Sequence, residues 1–125
     1  MKWDDLLTVP YKAHGRDVSG MDCYGLVLEC CRRAGTPLND IRYERDHVPS
    51  DTLSFYTRKV NVCPIESAQS GTIVECEYSG NLHVGYLIDK KTVLHMTSSG
   101  MRVSPLLALR KARFYKVVKN ESARL

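Results

Sequence analysis

Three side chains in this sequence are of the types that acyl and proton transfer require: Cys23, His83 and His95. Cys23 follows Asp22 at the head of Asp22-Cys23-Tyr24-Gly25-Leu26-Val27-Leu28-Glu29-Cys30-Cys31. Small or apolar residues recur at positions 23, 26, 27, 30, 31 and 34, the repeat of a helix with one buried stripe. Asp22 stands where an N-cap acceptor belongs, so Cys23 falls in the first turn, where unpaired amide N–H groups and the macrodipole favour an anion. The placement predicts a thiolate-favouring position, because helix N-termini and nearby imidazolium lower a thiol pKa by roughly one to five units. Spacing alone also admits the plainer reading of Cys23 as a small buried hydrophobe, which is how Cys30, Cys31, Cys63 and Cys76 are read.

His83 opens one apolar run, to Ile88, and His95 lies on the next, Thr92 to Thr97. The Asp89-Lys90-Lys91 turn between them predicts a hairpin that sets the two imidazoles side by side. One use for such a pair is a relay in which His83 takes the Cys23 proton and His95 fixes its tautomer. A zinc site is the other use, but the cysteines lack a C-x-x-C spacing, so no metal or other cofactor is expected. His14 and His47 sit in loop-like stretches and receive no role.

These side chains need elements to hold them. Trp3 to Leu7 reads as one or two helical turns ended by Pro10, and Tyr11 to Gly20 as a loop leading to Cys23. The helix stops at Gly35-Thr36-Pro37, and residues 37–49 look irregular. Ser50 or Asp51 could cap a short helix through Arg58. From Thr72 the alternation becomes strand-like: 72–78, a Ser79-Gly80-Asn81 turn, 83–88, 92–97 and 101–103. Ser104-Pro105 then opens a short helix over Leu106 to Leu109, and Arg113 to Val118 closes the sheet. Helix first and antiparallel meander second is an α+β layout of about five to six strands, with the Cys23 helix packed on the sheet.

The 125 residues, 43% hydrophobic and 26% charged, suit a single soluble domain spanning 1–125. No stretch approaches the roughly 20 apolar residues of a membrane span, and Met1-Lys2-Trp3-Asp4-Asp5 does not read as an export signal. Five cysteines, two of them adjacent, argue for reduced thiols and synthesis in the cytoplasm. The net charge of +4 is a C-terminal feature: residues 110–125 hold six cations and one acid. Arg110, Lys111, Arg113, Lys116, Lys119 and Arg124 could meet an acidic partner subunit or an anionic polymer, but a solvated tail is the expectation, and no nucleic-acid partner is assigned.

Three blocks carry a resemblance. Pro10-Tyr11, Gly15, Gly20 and Asp22-Cys23-Tyr24-Gly25 form the first, with Tyr11 twelve residues before Cys23. His83-Val84-Gly85-Tyr86-Leu87-Ile88 is the second, and His95, twelve residues further on, is the third. In these blocks the chain resembles the NlpC family of cell-wall cysteine peptidases over nearly its whole length. The resemblance implies a papain-like NlpC fold with Cys23 as nucleophile, His83 as general base and acid, and His95 as the orienting third member. It further implies that Tyr11 and the Cys23 backbone N–H stabilise the oxyanion, and that Asp22 and Tyr24 adjoin the substrate. The implied reaction is hydrolysis of amide bonds in peptidoglycan stem peptides, commonly the D-γ-glutamyl bond to a diamino acid, through an acyl-enzyme.

Two positions depart from the family's pattern. Tyr24 stands where wall-directed members usually carry a substrate-binding serine, and Thr72 where many have Gly-Asp before the first strand. The opening Trp3-Asp4-Asp5-Leu6-Leu7, Gly15-Arg16-Asp17 and the aromatic after the cysteine look most like compact members encoded by long-tailed phages and prophages. That likeness implies phage tail proteins as partners, the virion tail as location, and no membrane insertion. Idle docking in a tail tip, with Tyr24 narrowing the cleft, and acyl transfer to an amine or lipid are the competing readings.

Overall fold

The structure, a computed structural model, describes residues 3–41 and 60–119. The expected helix from Ser50 or Asp51 to Arg58, His47 and Arg124 lie outside the described residues. A 3-10 turn, Asp4–Leu6, opens the chain and is followed by a small hairpin of β1, Arg16–Asp17, and β2, Gly20–Met21. Helix α1 spans Cys23–Arg33. The strands are β3, Val62–Ile65; β4, Ile73–Tyr78; β5, Asn81–Asp89; β6, Thr92–Thr97; β7, Gly100–Pro105; and β8, Arg110–Val117. The six form one antiparallel sheet in the order β3-β8-β4-β5-β6-β7. Among the described residues one α-helix thus accompanies a six-stranded antiparallel sheet, the α+β layout the alternation predicts.

Alternation sorts the strand side chains into two clusters. Ile73, Val84, Tyr86, Leu94, Met96 and Tyr115 join Leu26, Val27 and Cys30 of α1 in the larger core. Trp3 meets Tyr86 edge-on at 5.3 Å and ties the opening turn to the sheet. Val74, Cys76, Leu87, Val93 and Leu109 form the smaller cluster. Each fully buried aliphatic of this kind contributes about 1.5–3 kcal/mol of burial free energy.

The turns follow from their residues. Ser79 and Gly80, both with positive φ (51° and 79°), make a two-residue connection, since Tyr78 pairs with Asn81 across it. Gly100, at φ 118°, closes the turn from β6 to β7. Thr72 donates its hydroxyl to the Gln69 carbonyl at 2.6 Å, a local turn contact just before β4.

Several elements differ from expectation for identifiable reasons. The buried face of α1 comprises Tyr24, Gly25, Leu26, Val27, Cys30 and Cys31, which bears out the predicted stripe at 26, 27, 30 and 31; at its ends Cys23 is half-buried and Ala34 exposed. Strand β3, whose exposed and half-buried residues give little alternation, escapes the sequence pattern. Strand β8 begins three residues early because a bulge opposite Glu75 to Glu77, with Lys111 at φ 54°, breaks its period. Residues 110–117 are accordingly strand and not tail, although Arg110, Lys111, Arg113 and Lys116 remain exposed: Arg113 pairs with the fully buried Glu75 at 2.6 Å, and Lys111 with Glu77 at 3.4 Å.

Candidate active site

The helix side of the site is assembled from residues close in sequence. Met21 N–H donates to the Pro10 carbonyl, and Lys12 N–H to the Met21 carbonyl, which lays Tyr11 alongside β2. Asp22 is extended (φ −96°, ψ −173°) and caps α1, its Oδ1 accepting the Gly25 N–H at 2.8 Å. The same oxygen accepts from Arg16 Nη1 at 2.8 Å, and Oδ2 accepts the His14 N–H at 3.2 Å. Gly25 is required by packing, because a Cβ there would run into the Gly15 carbonyl. These contacts leave Cys23 at the first helical position beside a carboxylate that is itself ion-paired.

The strand side is assembled by register. His83 Nε2 lies 2.9 Å from His95 Nδ1, and His95 Nε2 lies 2.8 Å from Ser104 Oγ. Gly85 makes the approach possible, since a Cβ there would press on Val93 and the His95 Cβ of the neighbouring strand. Tyr78, diagonal to His83 in the β4–β5 pairing, stacks on the His83 ring at 5.0 Å and meets the His95 ring edge-on at 5.2 Å. With Nε2 engaged, Nδ1 is the nitrogen with which His83 can serve as base. That role requires His83 Nε2–H to donate to His95 Nδ1, and His95 Nε2–H to donate to Ser104 Oγ, one direction along the whole chain.

The two sides meet at an open cleft of about 140 Å³. Tyr11, Asp22 and Cys23 line it from the helix side. Tyr78, Ser79, Asn81, Leu82 and His83 line it from the β4–β5 hairpin, and Met96, Thr97 and Ser98 from the end of β6 and its turn. His95 is fully buried behind His83, which is 7% exposed. Tyr24, expected beside the substrate, is not among the lining residues. Its side chain is buried, its hydroxyl donates to the Asn39 carbonyl at 2.6 Å, and Arg16 sits over its ring at 5.8 Å. Helix rotation accounts for this: with Cys23 turned to the cleft, its neighbour turns into the core.

The electrostatics reverse one expectation. Burial, followed by the Asp22 charge, pushes the Cys23 thiol up to about 12, although hydrogen bonds from the Val84 and Tyr24 amides oppose the shift. Part of the residue's surface reaches the cleft, but the surroundings of the sulfur are dense enough to desolvate a thiolate. The residue that caps the helix is therefore also an anion beside the sulfur, a cost that the helix-terminus argument omits. His83 is pushed down to about 3 by burial and then by His95, and His95 to about 4 by burial and then by Arg102. At neutral pH the pair rests as thiol and neutral imidazole.

Arg16, Tyr78 and Ser104 are contacts that sequence reasoning missed. Tyr78 could have been found by pairing across the Ser79-Gly80 turn, whereas Ser104 needs the β6–β7 register and Arg16 the fold of its hairpin. Among the described residues no helix is long and apolar enough to cross a membrane. No curated protein matches the chain significantly. The profile of the NlpC/P60 family matches residues 8–119, a span that takes in Tyr11, the Cys23 helix, both histidine strands and β8, and the chain belongs to that family.

Proposed function

We propose that the protein is a cysteine peptidase that hydrolyses amide bonds in peptidoglycan stem peptides. The carrying observation is the chain from His83 Nε2 to His95 Nδ1 and from His95 Nε2 to Ser104 Oγ, behind a cleft that Cys23 and His83 both line. Family membership supports a cell-wall peptidase. The arrangement we infer is papain-like, a thiol at a helix start working with an imidazole on a strand.

Substrate binding expels water, and His83 Nδ1 takes the thiol proton as Cys23 Sγ attacks the scissile carbonyl carbon. The Cys23 backbone N–H and the Tyr11 hydroxyl receive the developing oxyanion. His83 returns the proton to the leaving amine as the C–N bond breaks, giving a thioester on Cys23. A water, deprotonated by His83, attacks that thioester; the acid leaves and the sulfur regains its proton. His95 donates nothing to the substrate: it holds His83 in the tautomer that leaves Nδ1 unprotonated.

Within this reading the protein is a phage tail-associated subunit that opens the wall during genome entry, supported by the likeness of the Trp3-to-Tyr11 and Gly15-to-Asp17 segments to compact phage members. A catalytically idle docking subunit of a tail tip is the second reading, favoured by the raised thiol and depressed imidazoles. Digestion of purified peptidoglycan, with muropeptides read by mass spectrometry, separates them. Stem-peptide cleavage by the wild type and none by Cys23→Ala supports the peptidase, whereas no cleavage, or cleavage unchanged in Cys23→Ala, sinks it. Mass spectrometry of purified virions tests the tail assignment.

A further inference from the structure

A base that takes the Cys23 proton becomes an imidazolium, and the surroundings of His83 are poor for that charge. Burial, followed by His95, holds its pKa down at about 3. The relay behind it, His95 and then Ser104, is neutral, so it offers hydrogen-bond dipoles and no counter-charge. Cys76, directly opposite His83 on β4, is a thiol that burial pushes up to about 12. Across the cleft stand Tyr11, Cys23 and Asp22. Asp22 is the anion among the described lining residues, and its carboxylate is engaged by the Gly25 N–H, Arg16 Nη1 and the His14 N–H.

Tyr78 is the side chain that local register brings to this ring. The Ser79-Gly80 turn pairs Tyr78 with Asn81 and Cys76 with His83, which puts Tyr78 diagonal to the imidazole. Cys76 is too small to cover its partner, and Tyr78 covers it instead. The two ring centroids are 5.0 Å apart with planes 28° from parallel, so the phenol presents its electron-rich face to His83. The same ring meets His95 edge-on at 5.2 Å, and His83 and His95 are 5.1 Å apart, so three rings enclose the hydrogen bond between the imidazoles. A cation within about 6 Å of an aromatic centroid is attracted by the ring quadrupole, the more so where water is scarce. His83 is buried and Tyr78 half-buried on the cleft wall. We infer that the Tyr78 ring stabilises the His83 imidazolium as it forms, supplying with a π face what a carboxylate supplies in a Ser-His-Asp relay. Tyr78 acts through His83, by its ring and not by its hydroxyl. The inference rests on the peptidase reading and adds a residue to that site.

The test measures kcat and KM of the full chain on a stem peptide for the wild type, for Tyr78→Phe, and for Tyr78→Phe carrying successive fluorines on the ring. Fluorine drains the π face with little change of shape. Tyr78→Phe should stay within about threefold of the wild type, and kcat should then fall stepwise, by about tenfold over the fluorinated series, at unchanged KM. Tyr78→Leu, which has no ring face, should lose about as much as the most fluorinated ring. A packing role predicts a flat series, so kcat unchanged across the fluorinated rings overturns the inference and leaves the peptidase reading standing. Loss of activity in Tyr78→Phe assigns the role to the hydroxyl and overturns it as well. Failure of the wild type to cut the peptide overturns both readings. Because the fluorinated rings keep the shape of phenylalanine, the series decides even if Tyr78→Leu does not fold.

Discussion

Asp22 and His83 line the same cleft, one as an ion-paired carboxylate on the helix side and the other as a neutral imidazole on the strand side. Asp22 is positioned by Gly25, His14 and Arg16, none more than eight residues away. His83 is positioned by His95, and His95 by Ser104, across three strands. Burial and then the Asp22 charge raise the thiol, and the neutral wall offers it no counter-ion, so the resting site keeps the proton on sulfur. Such a site gains nucleophilicity only when substrate displaces water and the proton transfer accompanies attack. The predictions that follow strain first the neutral wall and then the charged one.

Removing the base should have the largest effect. We expect His83→Ala to lower kcat by about 10² to 10⁴-fold with a far-ultraviolet circular dichroism spectrum like the wild type's. A loss below tenfold would move the base elsewhere.

Acid should weaken the strand side next. Both histidines carry folded pKa values depressed from 6.5, to about 3 and about 4, so the unfolded chain binds protons that the buried rings refuse. Their contribution is therefore complete above about pH 6.5 and is lost as pH falls towards 4, at up to about 1.4 kcal/mol per pH unit for each ring. Urea titrations at stepped pH should show this slope, and a variant carrying His83→Gln and His95→Gln should flatten it. An unchanged slope in that variant would contradict the shifts.

Gly85→Val comes third. Its side chain would press on Val93 and on the His95 Cβ, at an overpacking cost of about 1–3 kcal/mol, visible as a lower Tm. Activity should fall further than stability accounts for, because His95 is pushed from His83. Cleavage that falls only in step with Tm would deny the pair its orienting role.

The smallest change is on the charged wall. In Asp22→Asn the amide oxygen can still cap α1, but the Arg16 pair loses its charge and the His14 N–H its carboxylate acceptor, so stability should fall by about 1 kcal/mol. Loss of the anion should lower the thiol pKa and speed iodoacetamide labelling of Cys23 at pH 8 severalfold. Labelling that is unchanged would remove Asp22 from the causes of the raised thiol.

The same contrast explains what the sequence discloses. The helix start, Asp22 as its cap, the strands of β4 to β6 and the His83–His95 pairing are legible, because caps, turns and alternation act over a few residues. The thiol's environment is not: a cap and an anion are the same carboxylate, and only burial decides which effect prevails. Tyr24 is placed beside the substrate by the resemblance alone, and the helix rotation that turns Cys23 to the cleft carries Tyr24 into the core. Ser104 and Arg16 depend on strand register and on a hairpin of two-residue strands, which local pattern does not encode.

The central claim is that a resting, protonated Cys23 becomes the acyl carrier once substrate is bound. Rapid acid quench of the protein with stem peptide, followed by peptide-level mass spectrometry, tests it most directly. The predicted result is an acyl adduct on the peptide bearing Cys23, formed and lost within turnover and absent in Cys23→Ala. Turnover with no adduct there, or an adduct confined to another cysteine, would contradict the account.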